Sequence, residues 1–260
     1  MGEALVAGLL RSGHWKPSQI TVCDVRHDQL AQLQLRYKVR ASADNRWAVR
    51  DADIILLAVK PQHMRHLLEE LGPVIRQSQL VLSIAAGITT ALMEKFLAKG
   101  VPVIRIMPNT PALVGAGAAA LARGRYARES HEKTAEAIFQ TVGTAVSVSE
   151  KDMDAVTALS GSGPAYVFYL AEAMTEAGHQ LGLAPHVVQG LVRQTIKGAG
   201  QLLAQSHEEA RTLRQRVTSP GGTTEAALKV LETARMKSIF SKALKRATRR
   251  SQELSKEASK

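Results

Sequence analysis

The sequence predicts an α/β protein in which a doubly wound parallel sheet is followed by an all-helical domain. From residue 20 to residue 148, short β-branched runs alternate with helical patterns, and several runs are apolar on both faces. Runs of that kind are typical of parallel strands covered by helices on each side. After Glu150 the strand pattern stops, and helical periodicity continues almost to the C-terminus. We therefore expect one domain over residues 1–148 and a second over residues 149–260.

The first domain begins with a helix and continues with alternating strands and helices. Six strands are predicted at Ile20–Cys23, Ile54–Val59, Leu80–Ile84, Val103–Met107, Gly117–Leu121 and Ala145–Val148. Helices are predicted between them at Asp28–Arg36, His63–Leu71, Ala91–Ala98 and Glu129–Gln140. Because Cys23 ends an apolar strand, we expect its side chain to be buried.

The second domain is predicted to consist of helices separated by glycine and proline. The helices are Met153–Leu159, Tyr166–Gly182, Pro185–Gln205, Glu208–Arg216, Thr224–Glu232 and Lys237–Lys256. Many alanine and glycine positions, such as Gly190, Gly198 and Ala204, allow helices to approach closely. We therefore expect copies of the chain to associate through these helices.

The composition excludes several classes of protein. The 260 residues are 45% hydrophobic and 22% charged, as in ordinary globular proteins. Much of the net charge of +11 lies in the last helix without interleaved aromatic residues, so we expect no nucleic-acid binding. The apolar runs fall far short of the roughly 20 residues of a membrane span, and the N-terminus lacks a charged secretory leader. With a lone cysteine, Cys23, and scattered histidines, we expect a cytoplasmic protein without a metal site.

Residues that directly follow the predicted strands indicate a coenzyme cleft, because ligands of such sheets bind at the carboxyl ends of the strands. Asp24 lies about 20 residues after Gly2, where dinucleotide-binding folds place an acid that bonds the adenosine ribose. Arg26 could instead meet a 2′-phosphate. The next strands end in small or polar turns that include Lys60-Pro61 and Asn109. Each turn taken alone could also be an ordinary strand-to-helix connection.

The glycine-rich loop of a dinucleotide fold is incomplete in this sequence. Met1-Gly2-Glu3 corresponds to the last positions of G-x-G-x-x-G followed directly by its helix. The first strand and the first two glycines are missing. We expect a start upstream of Met1 or a fragment, and the alternative is a protein impaired in coenzyme binding.

A second candidate site is the start of the helix after Ser219-Pro220-Gly221-Gly222-Thr223-Thr224-Glu225. Free backbone amides and the positive end of a helix favour a carboxylate or a phosphate at such a position. A capping box around Thr223 with Glu225 nearby is the structural alternative. The break at Ser160-Gly161-Ser162-Gly163-Pro164 is either a further site or a kink between helices.

These stretches together resemble the Δ1-pyrroline-5-carboxylate reductase family. The resemblance is carried by Ala58-Val59-Lys60-Pro61-Gln62, Ser83-Ile84-Ala85-Ala86-Gly87-Ile88-Thr89, Arg105-Ile106-Met107-Pro108-Asn109-Thr110-Pro111, Leu159-Ser160-Gly161-Ser162-Gly163-Pro164-Ala165-Tyr166 and Val217-Thr218-Ser219-Pro220-Gly221-Gly222-Thr223-Thr224. It implies a Rossmann-like domain, a helical dimerisation domain and often a ring of five dimers. It also implies hydride transfer from NADPH or NADH to the imine carbon of 1-pyrroline-5-carboxylate, which gives L-proline.

The resemblance and the strand-end residues together give the candidate contacts. The coenzyme contacts are Gly2, Asp24, Val25, Arg26, Asn45, Ala58, Val59, Lys60, Pro61, Ile84, Ala85, Ala86 and Asn109. The substrate contacts are Glu150, Ser160, Gly222, Thr223 and Thr224, with the Thr224 hydroxyl near the imine nitrogen as the catalytic group. His207 and Gln215 differ from the acidic residues that family members carry at those positions.

Other functions remain open on the sequence alone. An imine or β-hydroxyacid dehydrogenase with another substrate would have a similar plan, but such enzymes carry a lysine in the helix after the domain junction, and Tyr166–Gly182 has none. A non-catalytic oligomeric protein built on the reductase scaffold is the other alternative. Because Asp24 favours a free ribose and Arg26 a phosphate, the sequence leaves the choice between NADH and NADPH open.

Overall fold

The structure, a computed structural model, describes residues 1–258 and divides the chain into two compact units. One unit comprises Met1–Ser162 together with the chain from Lys245 onward, and the other comprises Gly163–Leu244. The contacts therefore place residues 149–162 and the end of the last helix with the sheet-containing unit. The predicted division at residue 148 rests on the change from strand to helix periodicity. Periodicity does not report the contacts that single side chains make with the strands, and such contacts join residues 149–162 to the sheet.

The sheet-containing unit has seven strands and seven complete α-helices among the described residues. The strands are β1 (Thr21–Cys23), β2 (Arg40–Ser42), β3 (Ile54–Leu57), β4 (Leu80–Ser83), β5 (Val103–Met107), β6 (Gly117–Arg123) and β7 (Gly143–Ser147). The helices are α1 (Gly2–Arg11), α2 (His27–Tyr37), α3 (Asn45–Arg50), α4 (Pro61–Leu71), α5 (Thr90–Phe96), α6 (Glu129–Gln140) and α7 (Met153–Val156). A π-helical turn at Thr157–Gly161 follows α7.

The strands form two sheets in the described chain. One contains β1 and β2, which are parallel, and the other has the order β3-β4-β5-β6-β7. In the larger sheet every neighbouring pair is parallel except β5 and β6. The expectation of a wholly parallel sheet is therefore wrong at this pair. Only residues 108–116 connect the two strands, and a parallel crossover needs a dozen residues or more.

Two hydrophobic clusters cover the faces of the larger sheet. Helices α4 and α5 bury Met64, Leu68 and Met93 on one side, and all three side chains are inaccessible to solvent. On the other side, α1 and α6 contribute Leu5 and Phe139. Helices on both faces account for the burial of β4 and β5, in which side chains on both faces are buried and Ser83 and Arg105 interrupt the apolar sequence.

The helical unit contains four helices and the beginning of a fifth within the described residues. They are α8 (Gly163–Gln180), α9 (Pro185–Gln205), α10 (Ala210–Arg216), α11 (Thr223–Thr233) and α12 (Met236–Ala258), whose later part belongs to the sheet-containing unit. Helices α8 and α9 pack closely at Gly178, where an added Cβ would lie 2.9 Å from a Val188 methyl. Val188 and Val192 are the hydrophobic residues of the described helical unit that are buried.

Among the helices that the structure describes, none is both long and apolar enough to cross a lipid bilayer.

Candidate functional site

Asp24 and Arg26 lie in the turn that follows β1. The Asp24 carboxylate accepts a hydrogen bond from the backbone N–H of Arg26 (N···Oδ1 2.9 Å) and two from its guanidinium, each at 3.3 Å. Partial burial raises the pKa of Asp24, but the hydrogen bonds from Arg26 outweigh that effect, and the pKa is lowered below its usual value. Asp24 is therefore ionised at neutral pH. Val25 is largely exposed at the tip of this turn.

Two further carboxylates lie close to the end of β1. Asp44 follows the neighbouring strand β2 and caps α3 by accepting a hydrogen bond from the Trp47 amide at 3.0 Å. Glu70 on α4 accepts a hydrogen bond from the Asn45 side chain at 3.1 Å. Cys23 is exposed, so the expectation of a buried side chain is wrong. The residue ends a strand of only three residues, where the surrounding parts of the protein cover it incompletely.

The Cys23 thiol reports the electrostatics of this strand end. Desolvation raises the pKa of Cys23, and the negative charges of Asp44, Glu70 and Asp24 raise it further, to about 11. The thiol is therefore protonated at neutral pH. The carboxylates that surround it create a negative potential at the carboxyl ends of β1 and β2.

The N-terminus of α1 fits a phosphate group. Gly2 opens this ten-residue helix beside the end of β3, where an added Cβ would lie 3.6 Å from the Cβ of Ala58. No side chain caps the helix, so its first-turn N–H groups are left for a ligand. Helix α4 also begins without a side-chain cap, at Lys60 and Pro61. Two uncapped helix starts next to the end of one strand suit the pyrophosphate of a dinucleotide.

The turn after β4 divides the predicted contacts into buried and accessible residues. Ala85 is buried in the core, whereas Ala86 is exposed and Ile84 is half-buried. Gly87 has a φ of +76°, and an added Cβ would lie 3.5 Å from the backbone of Leu254 in α12. The end of α12 therefore packs against this turn, and of the three predicted residues Ala86 is the most accessible to a ligand.

Three alternate residues at the end of β5 contact the segment 150–162. Arg105, Met107 and Asn109 are spaced two residues apart, and in a strand this spacing directs side chains to one side of the sheet. Arg105 pairs with Glu150 (Nη1···Oε1 3.0 Å), and the side-chain amide of Asn109 donates to the Ser160 carbonyl oxygen at 3.1 Å. Met107 lies so close to Gly161 that any Cβ there would collide with its Cε atom.

Two residues predicted to contact ligands, Asn109 and Ser160, form hydrogen bonds within the protein. The side-chain oxygen of Asn109 also accepts a hydrogen bond from the Ala118 amide at 2.9 Å, so Asn109 joins β6 to the π-helical turn. The Ser160 hydroxyl donates to the Val156 carbonyl oxygen at 3.2 Å. Sequence reasoning missed Arg105, although a charged residue in an otherwise apolar strand indicates a buried ion pair.

The Arg105–Glu150 pair is buried and incompletely satisfied. The Arg105 side chain is 3% exposed and that of Glu150 is 30% exposed. Glu150 Oε1 also accepts a hydrogen bond from the Thr90 amide at 3.4 Å. Among the described residues, Arg105 Nη2 and Glu150 Oε2 are buried without a hydrogen-bond partner, so the two side chains are joined through Nη1 and Oε1 only.

The start of α11 presents uncapped amides in the helical unit. Gly222 is the residue before the helix, and no side chain caps the first turn. The Gly221 amide donates to the Glu225 carboxylate at 2.7 Å, and Gly221 has a φ of +70°, which favours glycine. The structural alternative, a capping box around Thr223, is therefore not formed. Glu225 binds the loop, and the Thr223 and Thr224 amides lie at the open end of the helix. In the described chain no group of three or more histidine, cysteine or acidic side chains could hold a metal ion.

Comparison with known proteins gives a consistent result over the whole chain. A family profile described as pyrroline-5-carboxylate reductase dimerisation matches residues 150–254, and one described as coenzyme F420-dependent NADP oxidoreductase matches residues 1–87. The pyrroline-5-carboxylate reductase of Pseudomonas aeruginosa is 40% identical over 258 residues, covering 99% of this chain and 94% of the relative. The chain belongs to the pyrroline-5-carboxylate reductase family. A Methanosarcina acetivorans member is 41% identical, covering 98% of this chain and 95% of its own.

Solved structures of pyrroline-5-carboxylate reductases share the fold. The Coxiella burnetii enzyme matches with a TM-score of 0.93 and 39% identity, covering 97% of this chain and 94% of that chain. The Plasmodium falciparum enzyme, solved with NADP bound, matches with a TM-score of 0.85 and 30% identity, covering 98% and 94% respectively. The family and the fold class predicted from the sequence, a Rossmann-like domain followed by a helical domain, are confirmed.

Proposed function

We propose that this pyrroline-5-carboxylate reductase family member reduces 1-pyrroline-5-carboxylate to L-proline with NADPH or NADH. The observation that carries the proposal is the similarity to curated reductases of this name over 98–99% of the chain at 40–41% identity. In this proposal residues 1–148 bind the coenzyme, and residues 149–260 bind the substrate and join copies of the chain. The accessible strand ends and the uncapped start of α11 supply sites of the chemistry that this reaction requires.

The coenzyme is assigned to the carboxyl ends of the strands in the sheet-containing unit. Asp24, Val25 and Arg26 would face the adenosine ribose, with Asn45 nearby. The amides at Gly2 and the turn from Ala58 to Pro61 would hold the phosphates, because both helix starts are uncapped. Ile84, Ala85, Ala86 and Asn109 would lie towards the nicotinamide, with Ala85 and Asn109 acting from behind the accessible residues. When bound, the coenzyme supplies the hydride.

The substrate carboxylate is assigned to the start of α11. The Thr223 and Thr224 amides would bind it, and Gly222 allows the chain to approach closely. The Thr224 hydroxyl would hold the imine nitrogen. Because the imine can take its proton from solvent, this chain needs no strong general acid, and positioning supplies much of the catalysis. The family resemblance implies Glu150 and Ser160 as further substrate contacts, and both belong to the sheet-containing unit.

We infer that copies of the chain associate through the helical unit, first as dimers and then as a ring of dimers. The exposure of large apolar side chains on α8 and α9 supports the dimer, since isolated soluble units rarely leave such surfaces uncovered. The single cysteine supports a cytoplasmic setting for the protein. Light scattering of the purified chain is expected to give an even multiple of 28.1 kDa. A monomeric mass would contradict this assembly.

The reaction is tested by following coenzyme oxidation at 340 nm with 1-pyrroline-5-carboxylate and by measuring proline as the product. We expect both signals to depend on substrate and on the coenzyme, and a β-hydroxyacid assayed with the oxidised coenzyme to give no turnover. Binding of the reduced coenzyme to the same preparation is measured by its fluorescence. A folded preparation that binds coenzyme but forms no proline would overturn the proposed substrate, and one that binds no coenzyme would overturn the reductase function itself.

A further inference from the structure

We propose that the coenzyme site selects NADH over NADPH, with Asp24 as the specificity-determining residue and Asp44 and Glu70 as its electrostatic support. The inference rests on the proposed function in one respect, the assignment of the turn after β1 to the adenosine ribose. It goes beyond that function because neither the sequence nor the similarity to known reductases decides between the two coenzymes.

The topology brings the acidic residues to one edge. Strands β1 and β2 are parallel and paired in register, with Cys23 opposite Ser42. Asp24 and Asp44 therefore follow adjacent strand ends at the same edge of the sheet. Glu70 is held beside them by the hydrogen bond from Asn45, which is itself a predicted coenzyme contact. Three carboxylates thus act on the end of β1, next to the turn assigned to the ribose.

Arg26 is the cation that could reverse this preference, and the structure shows it bound to Asp24. One backbone and two guanidinium hydrogen bonds join Arg26 to the Asp24 carboxylate. The hydrogen bond from the Arg26 backbone N–H holds the Asp24 carboxylate in the turn and does not depend on the position of the guanidinium. If the guanidinium moved to a 2′-phosphate, Asp24 would lose two hydrogen bonds and would face the phosphate unpaired. The positive charge of Arg26 is therefore used to neutralise Asp24. It does not offset the negative charges of Asp44 and Glu70.

The hydrogen-bonding chemistry of the two coenzymes separates them at this carboxylate. An ionised carboxylate only accepts hydrogen bonds. The ribose diol of NADH has two O–H donors and can replace the guanidinium bonds on Asp24. A 2′-phosphate is largely an acceptor and carries a charge of about −1.5 to −2 near neutral pH, as phosphate monoesters do. It therefore satisfies none of the three carboxylates, and Asp44 and Glu70, which Arg26 does not pair, repel it.

The pKa of the Cys23 thiol follows from the same arrangement of carboxylates. Its pKa is raised to about 11, first by desolvation and then by Asp44, Glu70 and Asp24 in that order. The same three carboxylates thus act on a probe atom that lies next to Asp24 in the chain. A phosphate dianion beside these carboxylates would be repelled by them, just as the thiolate is disfavoured.

The test is a pair of binding titrations on the full chain without substrate, with NADH and NADPH followed by fluorescence. We expect Kd for NADH to be lower than that for NADPH by about tenfold or more, a ratio that corresponds to about 1.4 kcal/mol. Because the discrimination is electrostatic, the ratio is expected to shrink as salt is raised from low to high concentration. The rate of Cys23 alkylation by iodoacetamide is measured in the same samples. This rate depends on the carboxylates near Cys23 and requires no turnover.

Three variants separate the contributions. Asp24→Asn keeps an oxygen to accept the Arg26 amide but removes the charge, and it is expected to reduce the NADH preference to within about threefold. Glu70→Gln is expected to lower Kd for NADPH about two- to fivefold and to accelerate Cys23 alkylation. Glu69→Gln, on the exposed side of the same helix, is the matched control and should change neither. Arg26→Gln is expected to weaken NADPH binding no more than NADH binding.

The outcomes distinguish this inference from the proposed function. Binding of NADPH as tight as that of NADH in the unmodified chain, or selective loss of NADPH binding in Arg26→Gln, would overturn the specificity assignment and leave the reductase function intact. An unchanged preference in Asp24→Asn would also overturn the role of Asp24. Failure to bind either coenzyme would overturn the proposed function and this inference with it.

Discussion

Within the part of the chain that the structure describes, the Thr224 hydroxyl is not used to hold the backbone of its own helix. Thr218 and Thr233 each donate to the carbonyl oxygen four residues earlier at 2.7 Å, whereas the half-buried Thr224 forms no such bond in the described chain. A hydroxyl at an uncapped helix start is available for a ligand. This availability supports the role assigned to Thr224 on the imine nitrogen.

Replacing this hydroxyl is therefore expected to affect catalysis more than folding. Thr224→Ala should lower kcat/KM about 10- to 100-fold, the effect of one lost hydrogen bond of about 1–3 kcal/mol to a polar substrate. Thr224→Ser should retain much of the activity. Thr233→Ala, at the other end of α11, is the control and should leave the kinetics unchanged. Steady-state kinetics with circular dichroism check this, and full activity of Thr224→Ala would remove Thr224 from the mechanism.

The chemistry of Cys23 follows from its surroundings and can be measured directly. A pKa near 11 in place of 9.0 leaves about 0.1% thiolate at pH 8, against about 9% for an ordinary thiol. Because the thiolate is the nucleophile, alkylation by iodoacetamide in the folded protein is expected to be about 100-fold slower than in the urea-unfolded chain. The rate should rise about tenfold per pH unit up to about pH 11. Equal rates in the folded and unfolded chain would contradict the environment described for Cys23.

At the residue scale, the sequence predicted where site residues lie in the fold better than it predicted the residues to which they bond. Asp24 and Arg26 were predicted at a strand end, but their mutual hydrogen bonds depend on a turn conformation that the pattern does not specify. Arg105 was missed because its partner, Glu150, is distant in the chain and is brought to β5 only by the tertiary fold. Glu70 was missed for the same reason. Distant ion pairs leave no periodic signal in one sequence.

At the element scale, strand β5 holds the segment 150–162, which follows β7, in place through side-chain contacts. Its residues Arg105 and Met107, with Asn109 just beyond, contact Glu150, Gly161 and Ser160 on that segment. A buried ion pair seldom adds stability over an apolar contact, but breaking one leaves an uncompensated charge. The pair therefore fixes the position of the segment, and each partner depends on the other.

This dependence predicts a strong coupling between the two residues. Glu150→Ala leaves the buried Arg105 charge unpaired and is expected to destabilise the protein by about 3–5 kcal/mol, whereas Arg105→Met should cost about 2–4 kcal/mol because Glu150 can reach water. The double variant should cost clearly less than the sum, with a coupling of about 1–3 kcal/mol. Urea unfolding measures all three. The exposed pair Glu129–Lys133, treated in the same way, should lose less than about 1 kcal/mol, and additive losses for the buried pair would refute the coupling.

The helices and the buried strands were predictable because their periodicity is strong. Strand β5 and helices α6 and α9 were predicted with the bounds that the structure shows. Strand β2 and helix α3 were missed, since a three-residue strand, Arg40–Ser42, and a six-residue helix are too short to show a period. The antiparallel pairing of β5 and β6 was missed because strand direction depends on connection length, which the predicted pattern did not use.

At the scale of the whole molecule, the helical unit lacks a core of its own. One face of α9 carries Val187, Leu191, Gly198 and Leu202, spaced so that they lie along one side of the helix. Leu191 and Leu202 are 58% and 55% exposed within the single chain. Gly198 lies inside the helix, where glycine costs about 1 kcal/mol relative to alanine, and nothing in the chain lies within 4 Å of its added Cβ. These features fit a surface that a second copy covers.

Charging this face is expected to separate the copies. Leu191→Glu combined with Leu202→Glu should convert the assembly to monomers, because two carboxylates would be buried without partners. The monomer should also unfold at a lower temperature, since a large apolar surface returns to water. Gln189→Glu adds a charge on a different face of α9 and should leave the mass unchanged. Light scattering checks both, and an unchanged mass of the double variant would place the contact elsewhere.

The short connection between β5 and β6 has a consequence for the order of folding. Closing a loop costs entropy that grows with its length, and the other strand pairs join only after a helix-containing crossover has been enclosed. Nine residues separate β5 from β6, so we expect this antiparallel pair to form first and to provide the template on which β4 and β7 assemble. The backbone groups of Arg105 and Met107 face β6, so pulse-labelling hydrogen exchange during refolding should protect their amides before those of β3. Simultaneous protection of the whole sheet would argue against a nucleus at this pair.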